Sequence, residues 1–105
     1  MDFENMKKEL IQVAGNAANL LKTLANSNRL IILGSLMENE KCVGDLEKSL
    51  NISQSALSQH LSRMRSEGIV SHRRASQQIF YSVSDDRVKK LVKIILEMFR
   101  ENKSL

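Results

Sequence analysis

The chain has 105 residues, 42% hydrophobic and 27% charged, with a formal net charge of +4. That composition supports one small apolar core and argues against disorder, so residues 1–105 are expected to form a single domain. No apolar run reaches the roughly 18 residues needed to cross a bilayer, and the opening MDFENMKKEL mixes both signs of charge, unlike a signal peptide, so no membrane partner and a cytoplasmic location are expected. A lone cysteine, Cys42, excludes an intramolecular disulfide.

Residues 3–24 carry Met6, Leu10, Val13, Ala17, Leu20, Leu21 and Leu24 at helical spacing, which predicts one long helix. Gly15 and the small side chains of Ala14, Ala17 and Ala18 leave room for another helix to approach. Asn26 or Ser27 supplies the cap of a second helix with Leu30, Ile31, Leu33, Leu36 and Met37 as its apolar positions, ending between Glu38 and Glu40. A short third helix is predicted over 43–50, with Lys41 or Cys42 near its start and Asp45 and Glu47 in the early turns, where acid suits the dipole. Asn51 and Ile52 make the turn into the next helix.

The run SQSALSQHL, beginning at Ser53, is the most informative stretch. Ser53 is a helix cap, and Gly68 can adopt the left-handed conformation that ends the helix. Leu57, Leu61 and Met64 share one face, while Ser55, Gln59 and Ser62 point the other way, flanked by Ser58 and Arg63. That outer face is short, polar and almost free of acid, as a helix in the major groove requires, because amides and hydroxyls read base edges and arginines hold phosphate or guanine. From Ser53 to Val83, Arg63, Arg65, Arg73 and Arg74 stand against a single acid, Glu67. A short helix, a brief turn and a serine-capped second helix give residues 43–67 a helix-turn-helix layout. The alternating stretches 69–74 and 78–83 predict two strands joined through Ala75, Ser76 and Gln77, a β-wing over 69–83.

Ser84, Asp85 and Asp86 then start a last helix with Val88, Leu91, Val92, Ile95, Met98 and Phe99 as its stripe, reaching about Glu101. Ile94 and Leu96 widen that stripe beyond the needs of a small domain. Together with the apolar first helix this points to a homodimer seam formed by 1–24 and 85–101; the alternative is that both helices complete the monomer core. The expected fold class is therefore mostly α with a small β-wing, a winged helix-turn-helix in the order α-α-α-α-β-β-α.

These residues resemble the ArsR/SmtB family of winged-helix repressors over nearly the whole chain. The resemblance lies in Leu24-Ala25-Asn26-Ser27-Asn28-Arg29-Leu30 with Ile32-Leu33, in Val43-Gly44-Asp45-Leu46, in Ser53 through Leu61 with Arg65, Gly68, Ile69 and Val70, and in Phe80-Tyr81-Ser82-Val83. The wording of SQSALSQHL is most similar to the HlyU/BigR-type branch, which responds to sulfur species or redox state. The resemblance implies a dimer built on the first and last helices, bound to an inverted-repeat operator as repressor or anti-repressor. In the family's thiol metal site two cysteines lie one residue apart; here the positions are Cys42 and Gly44. Its other metal site, Asp-x-His with a later His-x-x-Glu, matches Asp85, Arg87, Met98 and Glu101, without either imidazole. The branch's cysteine pair matches Gly34 and a residue near Arg100. No metal site and no cofactor are expected on these grounds. An inducer or oxidant remains open, with Cys42 either a one-thiol sensor or an unreactive small residue.

The side chains expected to meet double-stranded DNA are Gln54, Ser55, Ser58 and Gln59 toward the bases and Arg63, Arg73, Arg74 and Gln77 or Gln78 toward the backbone or minor groove, with Ser53 and Ser62 on the same DNA-binding surface. His60 is expected to pack or hydrogen-bond locally and His72 to contact phosphate or stand exposed. Two other classes compete. A winged-helix protein-interaction module without DNA binding calls for an acidic or apolar outer face, the reverse of this one. A thiol enzyme using Cys42 has no acid-base partner or phosphate loop in the sequence, so no enzyme activity is expected.

Overall fold

A computed structural model describes residues 2–100. Along those residues the order is α1 (Phe3–Leu24), α2 (Ser27–Glu38), β1 (Lys41–Cys42), α3 (Val43–Ser49), α4 (Gln54–Ser66), β2 (Val70–Ala75), β3 (Gln78–Val83) and α5 (Asp86–Phe99). Short polar side chains set four of the helix starts by accepting backbone N–H groups that have no partner within the helix. Asp2 accepts from Asn5, Asn26 from Arg29, Ser53 from Ala56 and Asp85 from Arg87. At α3 the cap position is Cys42, whose side chain makes no such bond.

Gly68, at φ 75°, stops α4 in the left-handed conformation anticipated for it. Its N–H donates to the Arg65 carbonyl and the Ile69 N–H to that of Met64, the paired bonds of a Schellman end. Ile69 thereby folds back under Met64, both essentially buried. At the wing tip Ser76 and Gln77 have φ of 50° and 68°, and Ala75 pairs with Gln78. Two consecutive positive φ values give the primed turn that matches strand twist, here without the glycine that usually relieves it.

One element departs from expectation. The sheet has three strands in the order β1-β3-β2, because Lys41 and Cys42 lie antiparallel to Tyr81 and Phe80. The residues leading into α3 are thus a short strand, which satisfies the otherwise open edge of β3. A two-residue strand carries no periodicity and so leaves no sign in the sequence.

The core joins Leu24, Ile32, Leu33 and Leu36 to Leu46, Leu57, Leu61 and Met64, and closes on Ile69, Val70, Val83 and Val88. The side chains of α4 expected to face inward do so. In α1, by contrast, every residue from Phe3 to Asn19 is exposed and only Thr23 and Leu24 are buried. Helix α5 buries Val88 alone, leaving Ile94, Leu96, Met98 and Phe99 exposed. It ends at Phe99, and the expected extension to Glu101 lies outside the described residues.

Candidate nucleic-acid interface

Helix α4 turns Leu57, Leu61 and Met64 into the core, and its 3.6-residue repeat therefore leaves Gln54, Ser55, Ser58, Gln59, Ser62 and Arg63 in solvent beside the exposed cap Ser53. Within this set the structure separates two rows. Gln54 and Ser58 look toward the wing, where they line a groove of about 440 Å³ with Gln77, Gln78, Ile79 and Tyr81. Ser55, Gln59 and Ser62 occupy the neighbouring row along the helix and are not part of that groove. The groove's remaining wall is the start of α3, with Cys42, Val43, Gly44 and Glu47. Cys42 lines this groove but is only 7% exposed, so it is not a surface thiol. Glu47, expected to suit the α3 dipole, and Tyr81, part of the family resemblance, were not among the DNA-contact candidates; the strand alternation that puts Tyr81 beside Ile79 on one face was the available signal, whereas the approach of Glu47 is a tertiary event.

The arginines are not equivalent. Arg63 donates to the Glu67 carboxylate one turn on, and Glu67 also accepts the Thr23 hydroxyl at 2.5 Å. The Thr23 hydroxyl and then Arg63 hold the Glu67 carboxyl below its ordinary range. On the wing, Arg73 is opposite Phe80 and its guanidinium stacks 5.0 Å from that ring's centre. It also grips Glu40, with Nε at 2.9 Å from Oε2 and 3.2 Å from Oε1, which lowers the Glu40 pKa. Arg63 and Arg73 each bring their own carboxylate. Arg74, across from Ile79, is exposed and makes no ion pair among the described residues. Arg65 contacts the His72 ring at 3.1 Å, and that ring lies tilted against Tyr81 with centres 5.6 Å apart. His60 accepts from Arg29, in line with the local role expected for it.

Residues 26–72 match the profile of the bacterial regulatory proteins of the arsR family. The transcriptional activator HlyU of Vibrio cholerae is 39% identical over 94% of this chain and 88% of its own length. The chain belongs to the ArsR family. The nodulation protein NolR of Rhizobium meliloti is a further relative, 44% identical over 82% of this chain and 70% of that protein. Reduced HlyU from Vibrio cholerae superposes with a TM-score of 0.82 at 39% identity, covering 90% of this chain and 99% of the other. This ArsR protein is accordingly a winged-helix DNA-binding transcriptional regulator, and ArsR-family regulators bind double-stranded DNA.

At the position matched to the family's helical metal site, the Asp85 carboxylate is taken by Arg87, whose Nη2 lies 2.7 Å from Oδ2 and holds the Asp85 pKa down. That fixed positive charge compensates the carboxylate internally. Met98 is exposed, and Glu101 lies outside the described residues. Gly44 stands beside the Cys42 sulfur, where a Cβ would come within 3.9 Å of it. Among the described residues no group of three or more His, Cys, Asp or Glu side chains is placed to hold a metal, and no helix is long and apolar enough to cross a membrane.

Proposed function

We propose that two copies of this chain pair through α1 and α5 and set their α4 helices into successive major grooves of an inverted-repeat operator, about 10 base pairs between half-site centres. The observation that carries this is the acid-free exposed face of α4 standing next to a wing that supplies Arg74, an arginine with no ion pair among the described residues. A helix as long as α1 with nearly all its residues in water has little to hold it, and the apolar side chains it shares with α5 are what a second copy would cover. Gln54, Ser55, Ser58, Gln59 and Ser62 read base edges, Ser53 and the wing residues Gln77 and Gln78 position the backbone, and Arg74 supplies the main phosphate or minor-groove contact. Arg63 and Arg73 add to it only as far as they leave Glu67 and Glu40. Occupancy of a promoter then regulates transcription.

Selection of bound fragments from random duplex DNA tests the proposal, and a palindromic consensus is the expected result. Replacing Gln59 relaxes sequence preference, whereas Arg74→Ala weakens binding to all sequences and lowers the salt slope by about one per subunit. An Arg74→Ala protein with unchanged affinity and slope would remove the wing from the interface. Repeating the selection after peroxide, polysulfide or zinc treatment identifies the signal, and a Cys42→Ser protein that still responds takes the thiol out of the sensing path.

A further inference from the structure

Arg29, in the first turn of α2, bridges the end of α1 and the helix α4. Its Nη1 donates to the Thr23 carbonyl at the end of α1 (3.0 Å), an acceptor left over by helix termination, and its Nε donates to Nδ1 of His60 on α4 (3.1 Å). A second bridge runs alongside, from the fully buried Thr23 hydroxyl to Glu67 at the end of α4. We propose that the Arg29–His60 contact is a positioning clasp that holds the reading helix α4 against the end of α1 and opens when the His60 ring gains a proton.

The chemistry is one-sided. Arginine keeps its protons throughout the accessible pH range, so Nδ1 of His60 can take part only as a bare acceptor. A proton there sets two N–H groups head to head and two positive charges side by side. The charged groups at this corner are Arg29 from α2 and Arg63 and Glu67 from α4 itself, while α1 contributes the uncharged Thr23 carbonyl and hydroxyl. Burial first, and then Arg29, hold the ring below the ordinary histidine value of 6.5, so the clasp is closed at neutral pH and acid opens it. Opening leaves the Thr23–Glu67 bond and the shared core to hold α4 against α1, so the seat of α4 loosens and the fraction of molecules with correctly set reading helices falls. DNA affinity then decreases on acidification. Simple electrostatics predicts the reverse sign, because protonated carboxylates and added positive charge tighten binding to phosphates.

This inference rests on α4 being the DNA-reading element, so its test has one arm with DNA and one without. With a duplex carrying the selected consensus, affinity is measured by fluorescence anisotropy from pH 5 to pH 7.5 at fixed ionic strength. The wild-type protein is expected to bind about five-fold more weakly at the acid end, the scale of one side-chain hydrogen bond. His60→Gln, whose amide oxygen accepts the same bond without titrating, is expected to lose that dependence, and His72→Gln, which removes the only other histidine, to keep it. Wild-type affinity that is flat or rises toward acid overturns the clasp, as does an acid loss that disappears in His72→Gln. In the DNA-free protein, nitrogen NMR is expected to find the His60 proton on Nε2 at neutral pH and a ring titrating below the ordinary histidine value; a proton on Nδ1 overturns the clasp whether or not His60→Gln folds. Failure to bind any duplex would instead strike the DNA-reading assignment, and the two failures are distinguishable.

Discussion

Replacing Glu40 with Gln should make this regulator bind DNA more tightly and depend more steeply on salt. Arg73 is held by the Glu40 carboxylate on one side and the Phe80 ring on the other. A phosphate must compete with both, and the acid itself repels the duplex. Glutamine keeps the shape and one acceptor but removes the charge, leaving Arg73 able to reach phosphate. Each added phosphate contact steepens the dependence of log affinity on log salt by about 0.9, so a dimer gains about 1.8. Across a four-fold rise in salt, from about 50 to 200 mM, the affinity of Glu40→Gln should fall roughly ten-fold further than that of the wild-type protein. Anisotropy titrations of a labelled non-specific duplex over a salt series read this slope directly, and Glu40→Gln combined with Arg73→Gln should return it to the starting value. A slope unchanged in Glu40→Gln would refute the reasoning, and so would a shallower slope in Arg73→Gln alone, since that shows Arg73 already on phosphate.

Leu10→Asp on the exposed apolar side of α1 should shift sedimentation to the monomer and weaken operator binding at least ten-fold, while a chain that stays dimeric contradicts the α1–α5 seam. Thr23→Val keeps the side-chain volume but deletes the hydroxyl given to Glu67, and should cost about 1 kcal/mol, read as a melting temperature lower by about 4 °C. The Glu67 carboxyl is depressed in the folded chain, so its contribution is complete above the ordinary value of 4.5 and is lost as pH falls through the lower native value; the acid limb of the stability curve should flatten in Glu67→Gln. Because that group is largely solvated, the effect is small, and a calorimetric pH series that shows no difference between the two proteins would contradict the Thr23 and Arg63 contacts.

Much of the architecture was written in local patterns. The inward row Leu57, Leu61 and Met64 decided which side of α4 faces solvent, since a helix with one buried stripe has no freedom about the other. Ser53, Asn26, Asp85 and Gly68 marked helix ends because each meets backbone groups within a few residues of itself. Strand β1 escaped notice because two residues show no period. The roles of the arginines were equally hidden: Glu40 is 33 residues from Arg73, and the Thr23 hydroxyl 44 from Glu67. Sequence alone put four arginines near the reading segment and could not say which were neutralised.

The sequence by itself determined the order of the five helices and the two wing strands, the polar face of α4 and the family, because each is fixed by spacing along a single element or by a contiguous run of residues. Tertiary structure decided which arginines carry a carboxylate of their own, that Cys42 lines a groove, that Arg87 takes up the Asp85 carboxylate, and that Arg29 ties α1 to α4. Hydrogen bonds and charge pairs act over a few ångströms in space without regard to distance along the chain, so only the folded arrangement of α1, α2, α4 and the sheet could bring those partners together.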